Sequence, residues 1–248
     1  MIRIQLNEMV RTIRMDRPEK KNALTREMYD QMAEALEDAN TNDDVRVSMI
    51  LGGSGAFTAG NDIADFLKFA QTGEGLGTEV IRFLKAIACS RKPVIAVVDG
   101  LAIGVGVTML FHCDMVFATP RSQLKTPFLD LGLVPEAGSS LLAPALMGYQ
   151  RAFEMLCLGV PFDAEAAWRA GLVNHVVGED VIEETAMEAA RLLASKPPEA
   201  MALARNFMRG DRTAVMERLE AESAAFRARL RSEEAQSAFA AFMARGKT

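Results

Sequence analysis

Two glycine-rich turns carry the residues of this chain best suited to chemistry. The first lies in VSMILGGSGAFTAGNDIADFLKF, Val47 to Phe69, where an apolar run meets Gly52-Gly53-Ser54-Gly55 and then Ala59-Gly60. The second lies in KPVIAVVDGLAIGVGVTMLFHCD, Lys92 to Asp114, where Val94 to Val98 reaches Asp99-Gly100 and then Gly104 and Gly106. A glycine-rich turn from strand to helix exposes bare backbone N–H groups at a helix N-terminus. Those donors, with the positive end of the helix dipole, suit an anion or a developing oxyanion. A single turn of this kind is equally consistent with glycines that only close a tight corner and let a helix pack on a strand. Two of them could aim two N–H groups at one carbonyl oxygen, the anatomy of an oxyanion hole. Neither turn is a nucleotide fingerprint, since no GxGxxG follows the first strand and no GxxxxGK[ST] occurs.

The elements that must position these turns read as α/β. Ile2 to Leu6 and Val10 to Met15 are short strands joined through Asn7-Glu8. Thr25 caps a helix running to about Asn40, with Met28, Met32, Leu36 and Ala39 on one face. Val45 to Leu51 is the next strand, and a helix starts at about Asn61. Thr72 to Gly77 is a glycine-rich loop suited to a lid or entrance. Met115 to Thr119 and Leu124 to Thr126 are brief strands, and a helix begins at Ser139. Asp163 caps a short helix that Gly171 ends, and Leu172 to Val177 is extended. Beyond about Glu179 the pattern is almost purely helical: Val181 to Ser195, Glu199 to Met208, Ala214 to Leu230 and Ser232 to Arg245. Such a tail must pack on the core or on a neighbouring subunit. Phe207, Phe226, Phe239 and Phe242 in it read as core or interface rather than as a substrate box.

Taken with MDRPEKKNALT (Met15 to Thr25) and LKTPFLDLGLVPEAGSSLLAPALMG (Leu124 to Gly148), the two turns resemble the crotonase, or enoyl-CoA hydratase/isomerase, superfamily. The resemblance runs from the N-terminus to about Lys196. It implies a spiral of repeated ββα turns over residues 1–196, followed at 197–248 by a C-terminal helical region that helps form trimers, often paired into hexamers. It also implies an acyl-CoA thioester substrate whose enolate is held by two backbone N–H groups, carried over by position to Asn61 and Val105. Ala59, Gly60, Asn61, Asp62, Ile63, Gly104 and Val105 become the substrate-binding residues, with Asp62 holding the loop by accepting backbone N–H groups. The side chains of Asn61 and Val105 are expected to be incidental.

Acid/base residues decide the reaction class within that resemblance. The two glutamate positions of the family's hydratases are occupied here by Thr108 and by Phe128, after Pro127. Hydration needs groups that activate water and deliver a proton, and these two side chains cannot share that task near neutral pH. Glu136, in Leu133-Val134-Pro135-Glu136-Ala137-Gly138, stands where one branch of Δ3,Δ2-enoyl-CoA isomerases is similar in having glutamate. It could instead be a first-turn residue favoured by the helix dipole near Ser139. Its apolar neighbours favour a catalytic base.

Composition excludes other classes. At 248 residues and net charge −5, half hydrophobic and a quarter charged, the chain is an ordinary globular one without a nucleic-acid surface. Arg17, Glu19, Lys20 and Lys21 read as a short solvated turn, with contact to CoA phosphates the alternative. Cys89, Cys113 and Cys157 are distant and odd in number, so buried reduced thiols are expected rather than a zinc site or disulfides. His112 and His175 stand alone in apolar contexts, and no metal site is expected. No signal peptide, membrane span or peroxisomal tripeptide is legible, which points to a cytoplasmic protein. The expected function is a 3-enoyl-CoA to 2-enoyl-CoA isomerase with no cofactor beyond the CoA of its substrate. A hydratase or other crotonase-type enzyme, or a non-catalytic acyl-CoA binder, are the alternatives.

Overall fold

A computed structural model describes residues 1–53, 55–62 and 77–245 of the chain, with side-chain environments to residue 241. Among the described residues ten strands form two sheets. The larger has the order β1 (Ile2–Asn7), β2 (Val10–Met15), β3 (Val47–Leu51), β5 (Val94–Val98), β7 (Met115–Ala118), β10 (His175–Val176). The smaller has the order β4 (Ala56–Thr58), β6 (Leu101–Ile103), β8 (Gln123–Lys125), β9 (Phe162–Asp163). Each of three successive pairs, β3/β4, β5/β6 and β7/β8, places one strand in each sheet. The repeats stack in parallel register, Ser48 on Val94 and Ile95 on Met115 in one sheet, Ala56 on Leu101 and Leu101 on Gln123 in the other. This is the expected spiral.

The sequence explains why the sheet is covered on both faces. Every residue of β3 and β5 is buried, the mark of a parallel strand without a wet face. Alternation then sorts them. Val47, Met49, Leu51, Ile95 and Val97 face Ile182, Ala186 and Ala190, while Ile50, Val94, Ala96 and Val98 face the main core. That main core is roofed by two helices, α1 (Arg26–Thr41), whose Thr25 cap accepts from the Met28 N–H at 3.3 Å, and α2 (Thr78–Ala88).

The remaining helices are α3 (Val105–Thr108), α4 (Ser139–Met147), α5 (Tyr149–Phe153), α6 (Ala164–Arg169), α7 (Ile182–Ala194), α8 (Pro198–Arg209), α9 (Thr213–Leu230) and α10 (Glu233–Arg245). α6 is capped by Asp163, which accepts from Ala166 N–H at 2.7 Å. The helical tail packs on the core of its own chain: Val215, Leu219, Glu222, Phe226 and Leu230 form one buried face of α9. The helix read from Asn61 and the loop from Thr72 fall outside the described residues. Among the described residues no helix is long and apolar enough to cross a membrane.

Two expectations need correction. Cys89 is exposed and Cys113 and Cys157 are half-buried, because Cys89 closes α2 at the surface rather than entering it. Extended chain at residues 172–177 narrows to the two-residue β10, in register with β7 at His175 and Val176 and bonded to it by the Asn174 N–H to the Val116 carbonyl and the Val177 N–H to the Ala118 carbonyl, both at 2.8 Å.

Candidate active site

The two glycine turns leave adjacent strands of the smaller sheet and converge. Their backbones approach so closely that side chains are barred. A Cβ on Gly60, which has φ +85°, would lie 2.9 Å from the Ile103 carbonyl oxygen, and one on Gly106 would lie 2.5 Å from Thr58 Cγ2. The Leu24 N–H donates to the Gly60 carbonyl at 2.8 Å and the Asp62 N–H to the Leu24 carbonyl at 2.9 Å, which pins Asn61 between them. Val105 is the first residue of α3, where a helix N–H has no partner within the helix. Neither the Asn61 nor the Val105 N–H has an acceptor among the described residues.

Both turns border one cavity of about 760 Å³. Ala59, Gly60, Asn61, Gly104 and Val105 are on its wall. Asp62 is not, and Ile63 lies outside the described residues. Phe128, Leu131 and Leu133 form a second side, and Phe226 and Phe239 of the C-terminal helices form a third. The reading of Phe226 and Phe239 as core holds, with the addition that both also wall the cavity, because α9 and α10 fold back over it, whereas Phe207 is 83% exposed. Phe242 is outside the described side chains.

Glu136 is not among the residues lining this cavity; it is 3% exposed, on the loop that runs from Leu133 in the wall to α4. Its carboxylate accepts from the hydroxyl of Thr108, also fully buried. Two positions that the family resemblance singles out, Thr108 and Glu136, thus meet in space. Burial pushes the Glu136 carboxyl up to about 8; the Thr108 bond opposes this and the charge of Glu222 adds to it. The same charge of Glu136, after burial, helps raise Tyr29. Asp130 also borders the cavity, but it is exposed and lies 3.6 Å from Lys125. The dipole alternative for Glu136 fails on geometry. Glu222 of α9 accepts from the Gly138 N–H at 2.6 Å and the Ser140 N–H at 3.0 Å, so it is the carboxylate that caps α4.

Several supporting residues escape sequence reasoning. The Tyr29 hydroxyl donates to Asn61 Oδ1 at 2.5 Å, so the Asn61 side chain is not incidental; it ties the first turn to α1. Arg17 is not in a free solvated turn. Its Nη1 donates to Asp62 at 2.6 Å and to the Ala23 carbonyl at 2.9 Å. Backbone donors expected for Asp62 from the residues that follow it lie outside the described residues. Buried Asn22 accepts from the Arg17 N–H at 2.8 Å and donates to the Ala56 carbonyl at 2.8 Å, stitching that turn to β4. His112 is a satisfied core residue. Burial pushes it down to about 3, so the neutral ring donates from Nε2 to the Ala137 carbonyl at 2.7 Å and accepts at Nδ1 from Arg212 at 3.0 Å. Ala137 has φ +63°, unusual for a residue with a Cβ, and this bond helps hold it. His175 is exposed on β10. Among the described residues no group of three or more His, Cys, Asp or Glu side chains could hold a metal ion.

The family model for Enoyl-CoA hydratase/isomerase matches residues 5–248. Enoyl-CoA delta isomerase 2 of Rattus norvegicus is 35% identical over 238 residues, 94% of this chain and 61% of the rat protein. The chain thus spans less than two thirds of that relative. The 1,2-epoxyphenylacetyl-CoA isomerase of Escherichia coli K12 is 34% identical over 78% of this chain and 76% of its own length. Among solved structures, Pseudomonas aeruginosa OdaA superposes with a TM-score of 0.93 at 42% identity, covering 98% of both chains.

Proposed function

Since the chain belongs to the enoyl-CoA hydratase/isomerase family and has the crotonase fold, it is a crotonase-type acyl-CoA enzyme, and we propose that it moves the double bond of a 3-enoyl-CoA to the 2-position. The carrying observation is Glu136, a buried carboxyl bonded to Thr108 of the short helix that opens at Val105, while threonine and phenylalanine occupy the hydratase positions. The name of the rat relative supports the same reading.

In the proposed reaction the thioester oxygen lies between the N–H groups of Asn61 and Val105. Their fixed dipoles meet negative charge as it develops on that oxygen. Ionised Glu136 takes a proton from the carbon next to the carbonyl, which leaves a flat dienolate. The same carboxyl returns the proton two carbons further along, and the double bond comes into conjugation with the thioester. One base serves both steps because the dienolate is planar and both carbons present the same face. Thr108 donates its hydroxyl to the carboxylate and fixes its direction. No metal or redox group enters these steps, and CoA is part of the substrate.

The test offers 3-enoyl-CoA and 2-enoyl-CoA separately and follows both products. Isomerisation of the first with little hydration of the second is the expected result. Hydration at comparable rate moves the reading to a hydratase, and affinity for acyl-CoA without turnover of either makes the protein a binder. We further infer a homotrimer or a pair of trimers, with residues 197–248 at the subunit contacts. Leu203, Phe207 and Met208 on α8 support this, with exposures of 58%, 83% and 81%. Sedimentation of the native protein tests it.

A further inference from the structure

Glu222 is a buried acid that the reaction as derived does not use. It is 7% exposed, lies in the middle of α9, and reaches across to a loop more than eighty residues earlier in the chain. Its two oxygens accept the Gly138 and Ser140 N–H groups at 2.6 Å and 3.0 Å. Those amides lie two and four residues after Glu136, the first within the left-handed Ala137-Gly138 pair, with φ of +63° and +71°, and the second in the first turn of α4. The same helix grips the loop on either side. Arg229 Nε donates to the Gly132 carbonyl at 3.0 Å, and a Cβ on Gly138 would lie 3.2 Å from Val215 Cγ1. One turn beyond Glu222, Phe226 on the same face of α9 walls the cavity. A single rigid helix therefore touches both the acyl-CoA cavity and the backbone that aims Glu136.

We propose that Glu222 is a positioning residue for the reaction: through its two amide bonds it holds the loop that aims Glu136, and it sets its own carboxylate against that loop. This rests on the reading of Glu136 as the base. The groups facing the two carboxyls from neighbouring elements are Thr108 of α3, Tyr29 of α1, His112 after α3, and Arg212 and Arg218 at and within α9. Thr108 is bound to Glu136. Tyr29 is held protonated by burial and the nearby negative charge. His112 is neutral, and Arg212 is turned onto it. Arg218 donates to the Ser140 hydroxyl at 2.9 Å and lies on the Glu222 side. No described cation bonds Glu136, so the nearest like charge is not cancelled there. The Gly138 and Ser140 bonds favour the ionised form of Glu222 against its burial, which raises it.

The experiment compares Glu222→Gln and Glu222→Asp with the native protein. Gln keeps the size and one acceptor but removes the charge. Asp keeps the charge but is one methylene too short to hold both amides. The readouts are the pH dependence of kcat on 3-enoyl-CoA and the titration of the Glu136 carboxyl by ¹³C NMR of glutamate-labelled protein, with Glu136→Gln identifying its resonance. Glu222→Gln should move both the rising limb of kcat and the Glu136 titration down by about one pH unit, as expected for removal of a close like charge. Glu222→Asp should leave the limb in place and lower kcat about tenfold with KM little changed, the signature of a misaimed base. An unmoved Glu136 titration in Glu222→Gln overturns the proposal, and so does a loss of thermal stability in both variants with limb and kcat unchanged. A titration that shifts while the kcat profile ignores it leaves the coupling standing and refutes Glu136 as the base.

Discussion

Replacing Glu136 with glutamine separates the proposed base from every structural role of the side chain. The amide keeps the volume and leaves an oxygen to accept from Thr108, so the buried site stays filled and bonded. Turnover of 3-enoyl-CoA should fall at least about 100-fold, the usual share of a positioned acid/base group, with acyl-CoA affinity little changed. Stability supplies a second, independent magnitude. Glu136 is raised from 4.5 to about 8 by burial first of all. A raised folded-state value means the neutral form is the one the fold prefers. Its stabilising share is whole below 4.5 and is lost as pH rises through about 8. Over that window the native protein should lose up to roughly 5 kcal/mol relative to the glutamine variant, an upper limit because water entry and relaxation relieve a buried charge. Urea unfolding of both proteins at intervals between acid and alkaline pH measures the difference. Native turnover should climb over the alkaline part of the same window, because proton abstraction needs the ionised carboxyl. Near-native turnover in Glu136→Gln, or parallel stability profiles for the two proteins, would refute the reasoning.

Other expectations test the frame around that carboxyl. Val105→Pro places proline at the first position of α3, where a helix tolerates it, and deletes one donor N–H; kcat should drop about 100- to 1,000-fold while CoA affinity, read by calorimetry, holds. Equal loss of both with the fold intact counts against an oxyanion role. Tyr29→Phe removes the bond to Asn61 Oδ1 without emptying the core, so kcat should fall roughly three- to tenfold with circular dichroism unchanged. An unchanged kcat shows that the first turn needs no such tether. Gly60→Ala meets the Ile103 carbonyl at 2.9 Å with φ at +85°, and Tm should fall by roughly 3–10 °C. Asp62→Asn weakens the ion pair with Arg17 but keeps an acceptor, so much of the activity should remain; complete loss in a folded variant would point to acid/base work.

Much of the site was legible because its parts are local. Glycines at Gly60 and Gly106 announce close backbone approach and Gly104 a turn with positive φ, and the long apolar runs of β3 and β5 announce a sheet covered on both faces. Caps at Thr25 and Asp163 declare themselves by residue type. Strands β4 and β6 did not, since three residues are too few to show a period of two. The resemblance to a family supplied the spiral that joins them.

What the sequence by itself determined, then, is a set of backbone donors, a lone acid amid apolar neighbours, and the α/β repeats that carry them. Only the tertiary structure decided what surrounds that acid. Thr108 and Glu136 touch although 28 residues separate them, and Glu222 reaches Gly138 over 84. Tyr29 holds Asn61 from 32 residues away, and Phe226 and Phe239 prove to be cavity wall as well as core. None of these pairings has a sequence signal, because a helix or strand period fixes which face a residue occupies and says nothing about what will be packed against it. The ionisation of Glu136 depends on that packing, since burial and a neighbouring charge are properties of the assembled interior.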